Sequence, residues 1–196
     1  MITGIVLCGG RSTRMGQDKG SLRFGAETFL ARSIRLVGAV ADDVIVVTRP
    51  EHILPEWPVR IVHDPVAGLG PLAGIAAGLG ASSSDLNVVV ACDMPLIRPA
   101  VLSRLLELRG DADICLAVLD GRASPLCAVY RSAVAGVARD LLASGERRVM
   151  ALLDRVQTKR VEAAVFRDLD PDLETFVSVN TPDELQAALK CRASGA

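Results

Sequence analysis

Aromatic residues make up only 3% of this 196-residue chain, so its core has to be assembled from Val, Leu, Ile and Ala. Small aliphatic side chains suit strands that closely packed helices cover on both faces. No apolar run reaches the length of a membrane span, and no basic start with a long apolar stretch marks a secretory signal, so the expected address is the cytoplasm. Charge of one sign is missing too. A formal net charge of −1 supplies no field to draw the protein onto nucleic acid or an anionic membrane, and neither is an expected partner. The cysteines Cys8, Cys92, Cys115, Cys127 and Cys191 are odd in number, widely spaced and without a C-x-x-C pair. With only His52 and His63 to help, no zinc cluster is expected, and the first four cysteines lie in apolar surroundings where a reduced thiol serves as a small hydrophobe.

What is present is the composition of a globular protein, 50% hydrophobic and 23% charged, at a length that fits one domain over residues 1–190 with a frayed tail at 191–196. Short β-branched runs at 2–7, 44–47, 59–62, 88–91, 114–118 and 126–130 read as strands. Helical spacing fills 28–40, 71–79, a stretch from about 99, 133–142, 146–153 and 182–190. The alternation predicts an α/β fold around a mainly parallel sheet. The clearest start signal is Thr181-Pro182-Asp183-Glu184, a capping hydroxyl with an acidic partner three residues on.

Chemistry concentrates in three loops. The first, from Leu7-Cys8-Gly9-Gly10 through Arg11, Ser12, Thr13 and Arg14 to Asp18-Lys19, comes directly after the first strand. Glycines let the backbone approach a ligand closely, successive N–H groups form an anion-binding concavity, and Arg11, Arg14 and Lys19 add positive charge, so a triphosphate is the natural guest. The spacing is neither that of a Walker A loop nor G-x-G-x-x-G. The second is Cys92-Asp93-Met94-Pro95, at the carboxyl end of an apolar strand, where open α/β sheets place their ligand crevice. A carboxylate there either holds Mg²⁺ beside substrate phosphates or caps the next turn. The third runs from Asp64 to Gly68-Leu69-Gly70-Pro71-Leu72-Ala73-Gly74, where Asp64 by itself could form an Asx-turn.

Together these segments resemble the molybdenum cofactor guanylyltransferases, the MobA family, within the sugar-nucleotidyltransferase-like superfamily. Cys8-Gly9-Gly10 with Asp18-Lys19, C-D-x-P at Cys92 to Pro95, Asp64 with the G-P-L-A-G run, Gly145-Glu146-Arg147-Arg148-Val149-Met150 and Val179-Asn180-Thr181-Pro182 carry the likeness from Ile2 to about Leu185. The resemblance implies a Rossmann-like, three-layer α/β/α nucleotidyltransferase domain with a mainly parallel, mixed sheet. It implies a nucleotide held by Leu7, Cys8, Gly9, Gly10, Ser12, Lys19, Asp64 and Asp93, with Mg²⁺ on Asp93 and Arg14, Lys19 and Asp93 as the catalytic set. Arg147 and Asn180 would touch the acceptor. GMP would pass from GTP to the terminal phosphate of molybdenum-bearing molybdopterin, in a monomer or weak oligomer that transiently meets proteins delivering or receiving the cofactor. A cytidylyltransferase or sugar-phosphate nucleotidyltransferase of the same superfamily, or a non-catalytic nucleotide- or cofactor-binding module, would share the loop. The chain departs from many members at Ser124-Pro125, Ser178-Val179-Asn180 and Thr48-Arg49, positions that bear on acceptor and base recognition more than on phosphate handling.

Overall fold

The computed structural model describes residues 1–9, 19–50, 58–64 and 70–194. In chain order the elements are β1 (Ile2–Cys8), β2 (Arg23–Phe24), β3 (Glu27–Thr28), α1 (Phe29–Gly38), β4 (Asp43–Thr48), β5 (Arg60–His63) and α2 (Pro71–Ala81). Next come β6 (Leu86–Ala91), α3 (Pro99–Leu108), β7 (Ile114–Leu119), β8 (Arg122–Arg131), α4 (Val134–Ala143), α5 (Val149–Leu153), β9 (Thr158–Glu162) and α6 (Pro182–Ser194). Among the described residues the main sheet has 7 strands in the order β5-β4-β1-β6-β8-β7-β9. Only β8 runs against its neighbours, so the sheet is mixed and mainly parallel, as expected.

The period-2 alternation of the central strands sorts their side chains into two buried layers. Val6, Val46, Val88 and Val90 pack with Leu30, Val37, Val101, Leu102 and Leu105 on the α1 and α3 face. Ile5, Ile45, Val47 and Val89 pack with Leu72, Ile75, Leu79, Ala138 and Leu141 on the α2 and α4 face. The three-layer α/β/α arrangement results from this sorting. Small residues set the closeness of the layers: a Cβ on Gly78 of α2 would lie 2.5 Å from Ile5 Cγ2 and 3.1 Å from Val47 Cγ2.

Helix starts obey local chemistry. Thr28 Oγ1 accepts from Ala31 N at 3.1 Å and opens α1. At α6, Thr181 Oγ1 accepts from Glu184 N at 3.2 Å while Glu184 Oε2 accepts from Thr181 N at 3.0 Å, a reciprocal capping box. The helix expected to end near Lys190 runs on to Ser194. The helix expected from Glu146 begins instead at Val149, because the Glu146 carboxylate turns back onto Arg147 N at 2.8 Å and Arg148 N at 2.9 Å and holds residues 146–148 in a non-helical turn. β8 starts earlier than expected, at Arg122, and a register shift opposite residues 116–118 of β7 accommodates Pro125 within it. No helix among the described residues is long and apolar enough to cross a membrane.

Replacing Gly78 by Ala should lower stability by about 1–3 kcal/mol, read as a drop in the thermal midpoint, because both Cγ2 methyls belong to buried strand residues with nowhere to move. The β2–β3 hairpin yields a pH prediction. Glu27 receives Arg35 Nε and Nη2 at 2.7 and 2.8 Å and Arg32 Nη1 at 3.3 Å, and the Arg35 hydrogen bonds foremost hold its carboxyl at about 2, below the ordinary 4.5. A depressed carboxyl stabilises the fold above its unfolded value and loses that contribution as pH falls. Glu27→Gln should therefore cost about 1 kcal/mol at pH 7, and denaturation curves of variant and parent should converge as pH falls from 4.5 to 2.

Candidate nucleotide site

β1, β4, β5 and β6 end side by side at one edge of the sheet. Beyond the last rungs of the ladder the adjoining loops satisfy the strand ends. Cys92 N donates to Leu7 O at 3.0 Å, which draws the loop after β6 against the end of β1 and sets Asp93 beside the start of the glycine-rich segment. Asp64 N donates to Thr48 O at 2.8 Å, and Thr48 Oγ1 donates to Cys8 O at 2.9 Å, so Asp64 and the loop start are both fastened to the end of β4.

Leu7 is half-buried, Cys8 buried and Gly9 exposed at the rim, so among the described loop residues Gly9 is the one whose backbone faces outward. Gly10, Ser12 and Arg14 lie outside the described residues, as does His52. Lys19 opens a short 3₁₀ turn, Lys19–Ser21, and its side chain lies outside the described set. Packing anchors the chain just after this turn. Leu22 and Phe24 sit in an apolar cluster with Phe29, Val179 and Ala188, with Leu96, Leu185 and Leu189 against it. Leu96 stands just after the Asp93 loop and Val179 N donates to Asp93 O at 2.8 Å, so the exit of the glycine-rich segment and Asp93 share one wall of the cleft. Arg32 of α1 joins the same pieces: its Nε donates to Pro95 O, its guanidinium lies 5.0 Å above the Phe24 ring, and it pairs with Glu27.

Asn180, half-buried, comes next after Val179, and its N–H donates to Glu184 Oε2 at 2.6 Å. This region is held from behind by Arg98. The Arg98 backbone N–H donates to Thr175 Oγ1 at 3.1 Å, and its guanidinium reaches Leu169 O at 3.1 Å, Glu174 Oε2 at 3.1 Å and Asp170 Oδ1 at 3.2 Å. Asp170 is fully buried and also accepts from Thr175 N at 2.8 Å. Arg147 is exposed and forms no ion pair among the described residues; its backbone borders Gly70 at the start of α2, where Pro71 occupies the first turn. Arg148, by contrast, closes on Glu146 at 2.6 Å and holds that carboxyl at about 2. Asp93 and Asn180 are thus brought together, and Arg147 lies beside the start of α2.

The buried thiols are packing groups. Cys8, Cys92, Cys115 and Cys127 are buried and outside any disulfide, and burial pushes the Cys127 thiol up to about 12, far from a reactive thiolate. No group of three or more His, Cys, Asp or Glu side chains able to hold a metal occurs among the described residues. Asp64 and Asp93 each carry a carboxylate at the ends of the strands, hard oxygen donors of the type that suits Mg²⁺. Arg32 and Arg98 escape a reading of the sequence because each acts across long separations, with no local motif to mark it.

Among known proteins, residues 4–161 match the MobA-like NTP transferase domain. A probable molybdenum cofactor guanylyltransferase of Chloroflexus aggregans is 35% identical over 192 residues, covering 95% of this chain and 92% of its own. One from Methanothermobacter thermautotrophicus is 35% identical over 192 residues, covering 92% of this chain and 95% of its own. The crystal structure of molybdopterin-guanine dinucleotide biosynthesis protein A from Archaeoglobus fulgidus matches with a TM-score of 0.86 at 25% identity, over 98% of this chain and 99% of that one. The matched domain takes in the strand ends, Asp64, Asp93 and Arg147 alike, and this chain belongs to the MobA-like NTP transferase family.

Proposed function

We propose that the chain transfers GMP from GTP to the terminal phosphate of molybdenum-bearing molybdopterin, forming the guanine dinucleotide cofactor and releasing pyrophosphate. The observation that carries this reading is the pair of backbone bonds that set Asp93 between the glycine-rich strand end and Asn180, Cys92 N to Leu7 O and Val179 N to Asp93 O. The relatives named as guanylyltransferases support the same substrate class.

In the proposed reaction an oxygen of the acceptor phosphate forms a bond to the α-phosphorus of GTP, and the bond from that phosphorus to the bridging oxygen breaks as pyrophosphate leaves. A phosphomonoester has a second pKa near 6 and is mostly dianionic at neutral pH, so no protein base is required. The chain's work is to bring two polyanions together and to stabilise charge on the leaving group. The exposed backbone at Gly9, together with Gly10, Ser12 and the cations Arg14 and Lys19, cradles the triphosphate in this reading, and Asp64 fixes the nucleotide from the β5 side. Asp93 is the residue that would hold Mg²⁺, whose chemistry there is neutralisation of phosphate charge. Asn180 and Arg147 meet the acceptor. Contact with proteins that deliver or receive the cofactor is part of the proposal, as is action in the cytoplasm as a monomer or weak oligomer.

With GTP, Mg²⁺ and molybdenum-bearing molybdopterin, pyrophosphate release should accompany formation of the guanine dinucleotide, and CTP should be a poor donor; equal use of both would refute guanylyl transfer as the specific activity. Asp93→Asn should lower the rate at least about 100-fold with an unchanged thermal midpoint. Lys19→Ala should raise the Kd for GTP about tenfold. The wild-type rate should fall as pH drops below about 6, as the acceptor dianion is lost.

A further inference from the structure

We propose that Arg49 reads the base of the bound nucleotide, its guanidinium donating to the O6 and N7 edge of guanine. The inference rests on the nucleotide reading above and names its base-selecting residue.

Arg49 is the first residue beyond β4, next to Thr48, whose hydroxyl fastens Cys8 O. Its side chain lies against Gly9: a Cβ there would be 3.6 Å from Arg49 Cγ. Its Nε is buried and has no hydrogen-bond partner among the described residues. Arg49 makes no ion pair among the described residues, and of the two arginines there with a buried, open Nε, Arg49 and Arg109, it is the one beside Gly9. A buried donor left open at the rim of a ligand cleft is completed by an acceptor from the ligand.

Strand order decides which part of the nucleotide supplies that acceptor. Asp93, at the phosphate end, lies just past β6 on one flank of β1, and Arg49 lies just past β4 on the other. The two strands are two spacings apart, about 10 Å, so a nucleotide whose phosphates lie toward Asp93 extends its base over the ends of β4 and β5. A guanidinium is a donor-only fork. Guanine presents two acceptors, O6 and N7, on one edge, which such a fork matches bidentately, whereas adenine places an amino donor where O6 would be. Base choice in this reading turns on a single fork of N–H groups beside Gly9.

The test is calorimetric titration of the full chain with Mg²⁺ and, separately, GTP, ITP, 7-deaza-GTP, ATP and inorganic tripolyphosphate, for wild type, Arg49→Ala and Arg49→Lys. Wild type should bind ITP like GTP, since both carry O6 and N7, and should bind 7-deaza-GTP and ATP more weakly. Arg49→Ala should raise the Kd for GTP and ITP about tenfold, erase the difference between GTP and 7-deaza-GTP, and leave tripolyphosphate unchanged. Arg49→Lys should keep the charge yet recover only part of the loss. Unchanged tripolyphosphate affinity also shows that the variants are folded. An equal loss on every ligand, tripolyphosphate included, would move Arg49 to the phosphates and overturn the proposal, as would variants indistinguishable from wild type. A wild-type chain that binds no GTP overturns the parent reading, and this one with it.

Discussion

Parallel strands that end together leave their last N–H and carbonyl groups to be satisfied by the loops beyond them, and in this protein that constraint builds the site. Leu7 O and Thr48 O, at the ends of β1 and β4, take their hydrogen bonds from Cys92 and Asp64, the residues that lead into or carry the two acidic loops. Because a buried carbonyl without a partner is costly, the backbone that completes the sheet edge also fixes where the carboxylates stand. Positioning and ladder completion are one set of bonds, made at the edge of a sheet whose core is largely small aliphatics.

The second support comes from the end of the chain. Val179 N bonds to Asp93 O, the capping box of α6 grips Asn180 and Thr181, and the Arg98 clasp on Asp170 and Glu174 fastens the preceding segment. Asp170 is a fully buried carboxylate, with one oxygen accepting from Thr175 N and the other facing Arg98 Nε as an ion pair at 3.2 Å. Residues beyond the matched domain thus complete one wall of the site. Arg32, lying over Phe24 and donating to Pro95 O, ties that wall to the exit of the glycine-rich segment.

The strand runs and helix starts are legible in the sequence because their determinants are local: β-branched alternation for β1, β4 and β6, and the Thr181–Glu184 box for α6. The β2–β3 hairpin has strands of 2 residues each, too short for any period to register. β9, Thr158–Glu162, is a largely exposed edge strand of polar residues and carries no apolar alternation. The turn at Glu146 reads as helix because an acidic residue ahead of an apolar run looks like a first turn, whereas its carboxylate caps from outside. Asp64, Asp93 and Asn180 are visible from their place at element ends. Arg32, Arg98 and the open donor of Arg49 depend on partners, or the want of them, that only the folded chain reveals.

The central claim is that one edge of the sheet holds a nucleoside triphosphate between the backbone at Gly9 and the carboxylate of Asp93. A crystal structure of the chain with GTP and Mg²⁺ tests it most directly. The account predicts triphosphate density along the loop after β1, a cation bridging it to Asp93, and the base over the ends of β4 and β5. Nucleotide bound on another face, or a cation with no oxygen from Asp93 in its shell, would contradict it.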